Sequence, residues 1–331
     1  MNGWGRGTSG LLGVVTSTDC SPLNTTCDPD PALYTSTYTV DFTKGADDDA
    51  WAKVAGTVNY TSAGAEFTVN KQGDSPTIQT SWYFFFGRVE VHMQAAPGQG
   101  IVSSAVLESD DLDEVDWEWL GGIDNQVQTD YFGKGNTTSY DRGGTTNLTD
   151  VQSITHNYTI DWSSERIIWY IDGSAIRTLN YADALDGANY PQTPMRVKLG
   201  IWAGGDPDNS KGTIEWAGGE TDYTAGPYTM TVHNLTVYNA NPGGSYIYGD
   251  KTGSYSSIEI SKDNVTSTTS SATASSTSKS NKSTKSSSST SSTSSSTSSS
   301  SGVTTSAGNS VLSQLTLLPG MLVALVAFYI L

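Results

Sequence analysis

Residues 113–119 read DEVDWEW, and the carboxylates in that stretch are where this chain could do chemistry. In an extended strand successive side chains point to opposite faces. Glu114, Asp116 and Glu118 therefore share one face, while Val115, Trp117 and Trp119 share the other. Like charges side by side on a sheet destabilise it, and the nearest Lys or Arg along the chain are Arg88 and Lys134. Crowding raises the pKa of at least one acid in such a row, and the titration then belongs to the group and not to single residues. A protonated carboxyl beside an ionised one is what cleavage of a glycosidic bond requires. The carboxylate attacks the anomeric carbon, and the acid gives its proton to the leaving oxygen.

Two other readings of the row have to be weighed. Acidic rows occur on solvated strand faces, and clustered carboxylates suit hard cations. Against the first, two Trp residues occupy the opposite face, which suits a strand packed on a core. The segment also lies between an apolar run, Ile101 to Leu107, and Leu120-Gly121-Gly122. Against the second, the spacing lacks the Gly-punctuated loop of an EF-hand. Catalysis is the preferred reading, and no metal or other cofactor is expected.

The elements around the row read as strands separated by turns. Thr37 to Phe42, Trp82 to Met93, Met195 to Trp202 and Tyr228 to Tyr238 alternate in the manner of strands. Asp172-Gly173 sits between IIWYI and SAIRTL, a two-residue hairpin signal. Helical periodicity is scarce. Many short strands with Gly-rich turns indicate an all-β sandwich or barrel, and a jelly-roll sandwich is expected. At 331 residues the chain is long enough for one large all-β domain with appendages. A net charge of -17 argues against a nucleic-acid partner. Aromatic residues make up 10% of the chain, material for sugar platforms or for a core.

Composition also speaks to compartment. Cys20 and Cys27 are the two cysteines, compatible with one disulfide in a secreted chain or with two free thiols in a cytosolic one. N-x-S/T sequons begin at Asn24, Asn59, Asn136, Asn147, Asn157, Asn234, Asn264 and Asn281, which together fit an extracellular glycoprotein. From about Thr266 to Ser301 the sequence is almost wholly Ser and Thr, an expected disordered, O-glycosylated stalk. Small residues at 306–310 precede an apolar tail from Leu315 to Leu331. That pattern reads as a glycosylphosphatidylinositol attachment signal with Gly308 or Asn309 as the anchor residue. A tail-anchored membrane helix is the rival, weakened by Pro319-Gly320. The first nineteen residues hold a short apolar core, either a weak export signal or an incomplete one. The expected organisation is a signal segment over 1–19, a catalytic domain over 20–245, a stalk over 246–310 and a signal tail over 311–331.

Longer motifs carry a resemblance. CSPLNTTC followed by DPDPAL (Cys20 to Leu33), GIVSSAVLESDDLDEVDWEWLGG (Gly100 to Gly122), QTDYFGKG (Gln128 to Gly135), HNYTIDW (His156 to Trp162) and GIWAGGDP (Gly200 to Pro207) occur in order. Over residues 20–245 the chain resembles the Crh family of fungal cell-wall transglycosylases within glycoside hydrolase family 16. The resemblance implies a concanavalin-like jelly roll and a disulfide between Cys20 and Cys27. It also makes Glu114 the nucleophile, Glu118 the general acid/base and Asp116 an electrostatic helper between them. Glu114 and Glu118 lie about 13 Å apart at Cα in an ideal strand. Their side chains must lean together to approach the roughly 5–5.5 Å of a retaining enzyme.

Transfer in place of hydrolysis requires platforms that hold an acceptor sugar and exclude water. Tyr131, Phe132, Trp202, Trp216 and Tyr223 are the candidates, each of which also suits a core position. Gln128 and Asp130 are candidates for hydrogen bonds to the donor sugar, whereas Trp119 is expected in the core and His156 in a structural role. The resulting expectation is a monomeric, surface-anchored enzyme that moves chitin-derived donors onto chitin or β-glucan. A hydrolytic β-glucanase and a non-catalytic lectin-like wall protein are the alternatives.

Overall fold

A computed structural model describes residues 20–138 and 142–263 of the chain. The expectations for residues 1–19, for Asn264 and Asn281, and for the tail with Gly308 and Asn309 lie outside the described residues. The chain begins with β1 (Asp30–Pro31), β2 (Thr37–Asp41), β3 (Trp51–Ala55), β4 (Asn59–Thr61), β5 (Gly64–Val69) and β6 (Thr77–Thr80). The central strands are β7 (Gly87–Gln94), β8 (Ile101–Ser109), β9 (Glu114–Leu120), β10 (Gln126–Phe132) and β11 (Gly144–Asn147). β12 (His156–Trp162), β13 (Arg166–Ile171), β14 (Ser174–Asn180) and β15 (Met195–Ala203) follow, then a short helix α1 (Lys211–Trp216). The last strands are β16 (Tyr228–Asn239), β17 (Ser245–Tyr248) and β18 (Ile258–Ser261).

Two antiparallel sheets form the sandwich. The first runs β11-β10-β9-β8-β15-β6-β3, and the second runs β14-β13-β12-β7-β16-β5-β4 with β2 also paired to β16. Alternation within the strands fills the space between them. Val115, Trp117 and Trp119 of β9 meet Val89, Val91 and Met93 of β7 and Tyr158 of β12 in one buried cluster. Trp117 and Trp119 both set their rings against Tyr158, at centroid distances of 5.4 and 4.6 Å. Burying aromatic side chains of this size contributes most of what holds two sheets face to face.

Local signals in the sequence have their counterparts here. Asp172 and Gly173 take φ values of 49° and 80°, the left-handed pair that a tight hairpin between β13 and β14 requires. Gly121 ends β9 where the chain passes another segment closely: a Cβ there would lie 2.4 Å from the Gly98 carbonyl oxygen. No side chain fits at that position without moving backbone.

The folded region runs past the boundary expected at residue 245. β17 pairs with both β1 and β18 in a small third sheet, so residues 246–261 belong to the fold and not to a stalk. The alternating apolar residues of SYIY and IEIS are too few to be read from sequence without their partner strands. Cys20 and Cys27 form a disulfide that closes the loop before β1. Of the sequons, Asn24 is in that loop, Asn136 follows β10 and Asn147 ends β11. Asn59, Asn157 and Asn234 lie in strands β4, β12 and β16 of the second sheet.

Candidate active site

The acid row occupies the face of the first sheet turned away from the core. Register fixes its neighbours, because residues directly opposite on adjacent antiparallel strands point the same way. Glu114 lies between Glu108 of β8 and Phe132 of β10, Asp116 between Val106 and Asp130, and Glu118 between Ser104 and Gln128. Asp116 is buried at 3% exposure, and Glu114 and Glu118 are half-buried beside it. Asp130 adds a fourth carboxyl to this patch, buried at 6%.

Such crowding disfavours ionisation. The Glu114 carboxyl is held well above its ordinary range by burial, by the Asp116 charge and by a hydrogen bond it shares with Asp116. Burial, with the charges of Glu118 and Asp130, also pushes Asp116 well up. Glu118 is raised to about 8 by burial and by the charges of Asp130 and Glu114. Glu118 therefore holds its proton at neutral pH, and Glu114 and Asp116 are joined by a hydrogen bond. Against the trend on Asp116 act its hydrogen bond with Glu114 and then the guanidinium of Arg177 on β14. Arg177 is held in place from both sides. It donates to the Thr129 carbonyl and hydroxyl oxygens at 2.7 and 2.8 Å and lies over the Trp169 ring at 4.7 Å. Trp169 in turn donates from Nε1 to the Asp116 carbonyl oxygen at 3.2 Å. The second sheet thus grips the backbone of the acid row from behind.

Beyond Glu118 the same face becomes aromatic. Trp202 of β15 pairs with Val102, which pairs with Leu120, so its side chain stands on the acid-row face. Trp216 of α1 stacks on Trp202 at 6.2 Å with the planes 26° apart, and it donates from Nε1 to the Gln128 Oε1 at 3.0 Å. Trp202, Trp216 and Gln128 are therefore brought together beside Glu118. Toward Glu114 the floor is ionic: Lys198 of β15 pairs with Glu108, and burial lowers the Lys198 pKa to about 8.

The remaining candidates fall elsewhere. Tyr131 pairs with Val115 and so belongs to the core side of the sheet, 7% exposed, not to the acid face. One step along a strand reverses the face, and the sequence QTDYF does not say which residue opposes which acid. Phe132 does share the Glu114 face but is 3% exposed and lies under the Arg142 guanidinium, 4.7 Å from the ring centroid. Tyr223 packs against the main core and donates to Asp206 at 2.7 Å. His156 lies 2.7 Å from Asp172 at the β13–β14 hairpin, a structural placement. Sequence reasoning missed Arg177, Trp169, Lys198 and Glu108, which reach the site from distant strands or through pairing that no local pattern encodes.

Comparison with known proteins agrees with this geometry. The family model for glycosyl hydrolases family 16 matches residues 46–218. Crh-like protein 5 of Aspergillus fumigatus is 59% identical over 249 residues, which cover 75% of this chain and 63% of that protein. Crh-like protein 1 of the same organism is 58% identical over 243 residues, covering 73% of this chain and 68% of that protein. The chain thus spans less than two thirds of the first of these relatives. A solved Crh5 transglycosylase in complex with NAG superposes with a TM-score of 0.72 at 60% identity, covering 73% of this chain and 100% of that one. A Bacillus licheniformis β-glucanase, at 23% identity and a TM-score of 0.52 over 61% of this chain and 98% of that one, shares the fold. The chain belongs to the glycosyl hydrolases of family 16 and, within that enzyme family, to the Crh-like proteins.

Proposed function

We propose that this protein is a retaining transglycosylase that cleaves chitin-type β-1,4 linkages and passes the donor to chitin or β-glucan. The observation that carries this reading is the row of Glu114, Asp116 and Glu118 on one sheet face, with a stacked Trp pair beside Glu118. In the first step the Glu114 carboxylate attacks the anomeric carbon. Asp116 takes the proton it shares with Glu114, so the nucleophile is free as the bond forms. Glu118, protonated at neutral pH, gives its proton to the leaving oxygen. In the second step the Glu118 carboxylate removes a proton from an acceptor hydroxyl. That hydroxyl displaces Glu114 from the sugar, which restores every group.

Water competes for the same intermediate, and the aromatic wall of Trp202 and Trp216 is the feature that favours a sugar. The NAG held by the Crh5 transglycosylase supports an N-acetylglucosamine-containing donor for this chain. The sequons and the Ser/Thr-rich segment support a glycosylated, cell-surface protein acting on wall polysaccharide, tethered by a lipid anchor.

The test is to incubate purified protein with chitin oligosaccharides and fluorescent glucan acceptors and to size the products. Labelled products longer than the acceptor are expected. Reducing-end fragments without labelled elongation would show a hydrolase, and binding without turnover would show a lectin.

A further inference from the structure

Asp113 sits one residue before Glu114, with its side chain fully buried at 0% exposure. It cannot touch a sugar, yet its carboxylate collects donors from two separate segments. Lys134 donates its backbone N–H to Oδ1 at 2.9 Å, with the ammonium at 3.7 Å from the same oxygen. Gln192 and Thr193 donate their backbone N–H groups to Oδ2 at 2.7 and 3.1 Å, and the Thr193 hydroxyl lies 2.9 Å from it. On the backbone side, Asp113 donates to the Ser109 hydroxyl oxygen at 2.9 Å, and Ser109 N–H donates to the Asp113 carbonyl at 3.0 Å.

One of these segments leaves β10, the neighbour of β9, and the other enters β15, one strand further across the sheet beyond β8. Lys134 lies two residues after Phe132, the residue directly opposite Glu114. Thr193 lies two residues before Met195, where β15 begins. One carboxylate therefore ties the exit of β10 and the entrance of β15 to the residue next to Glu114. A strand end without such a tie frays. Reacting groups must hold their places to within a fraction of an ångström, since a misplacement of about 1 Å costs on the order of 10²-fold in rate.

We propose that Asp113 is a positioning residue that fixes Glu114 for attack, resting on the glycosidase reading above. Asp113→Asn tests it because the substitution keeps the shape but turns an NH2 group toward N–H donors. The prediction is a fall in kcat per folded molecule on the order of 10-fold to 10²-fold. KM for the donor is expected to stay within about twofold, because the Asp113 side chain is fully buried and touches no sugar. Asp111→Asn is the control. Asp111 shares the buried cluster through Ser109, Thr193 and the Asp113 backbone, while the Lys134 and Gln192 N–H groups go to Asp113. It should lose stability without losing kcat per folded molecule. Lys134→Met, which removes only the ammonium, supplies a milder variant if Asp113→Asn does not fold, and a smaller kcat loss at unchanged KM is expected. Equal kcat losses in Asp111→Asn and Asp113→Asn, or a kcat per folded molecule unchanged in both Asp113→Asn and Lys134→Met, would overturn the proposal while wild-type turnover stands. A wild type without any turnover would remove the glycosidase reading and this inference together.

Discussion

Glu118 carries its proton at neutral pH because burial and the charges of Asp130 and Glu114 raise its pKa to about 8. A general acid works only while protonated, so transfer should decline as pH rises through about 8. The nucleophile sets the other limb, which moves upward because Glu114 is also held above its ordinary range. The sign for stability follows from linkage. The folded protein binds the Glu118 proton more tightly than the unfolded chain, so stability falls as pH climbs from about 4.5 to about 8. Glu118→Gln should therefore lower transfer by about 10²–10⁴-fold with natural donors. It should also melt above the wild type near pH 8 while matching it near pH 4.5, and calorimetry at the two values checks this. Equal Tm differences at both values would show that Glu118 is not buried among charges. The three acids and their shared face were legible because alternation is a local property of a strand. Asp130 and Gln128 were legible as polar neighbours, but their places opposite Asp116 and Glu118 depend on register.

At the scale of elements, the hairpin at Asp172-Gly173 and the principal strands follow from turn chemistry and alternation. α1 does not. It has six residues, too short for a periodic apolar stripe, and it forms under a Ser210 cap whose hydroxyl accepts from the Thr213 N–H. Its position matters for function because it delivers Trp216 to Trp202 and Gln128. Trp216→Ala should remove a stacking contact worth about 0.5–1.5 kcal/mol and open the Glu118 end to water. The expected result is a severalfold fall in the ratio of elongated to hydrolysed product, with the rate of donor cleavage less affected. Chromatography of the products at fixed donor conversion measures that ratio, and an unchanged ratio would place acceptor selection elsewhere. Arg177 could not be foreseen at this scale either, since β14 belongs to the other sheet.

For the whole molecule, class and layering were readable from many short strands and scarce helical pattern, while the limits of the domain were not. β17 and β18 complete a third sheet with β1, which joins the beginning of the described chain to its end. The Cys20–Cys27 disulfide closes a loop just ahead of β1, with a sequence separation of 7. Chain-entropy reasoning gives about 2–3 kcal/mol for a loop of that size. Replacing both cysteines by Ser should lower the unfolding free energy by that amount in denaturant titrations, with turnover per folded molecule retained. A loss of turnover at unchanged stability would mean that the N-terminal loop takes part in the site.

The central claim is that Glu114 carries the sugar between donor and acceptor. Glu118→Gln combined with a 4-nitrophenyl chitooligosaccharide tests it most directly, because that leaving group needs no acid while the second step still lacks its base. Rapid quenching and peptide mass mapping should find the glycosyl group on the peptide containing Glu114, and none in the Glu114→Gln/Glu118→Gln double variant. Absence of the adduct, its location on another residue, or undiminished transfer by Glu114→Gln alone would contradict the account.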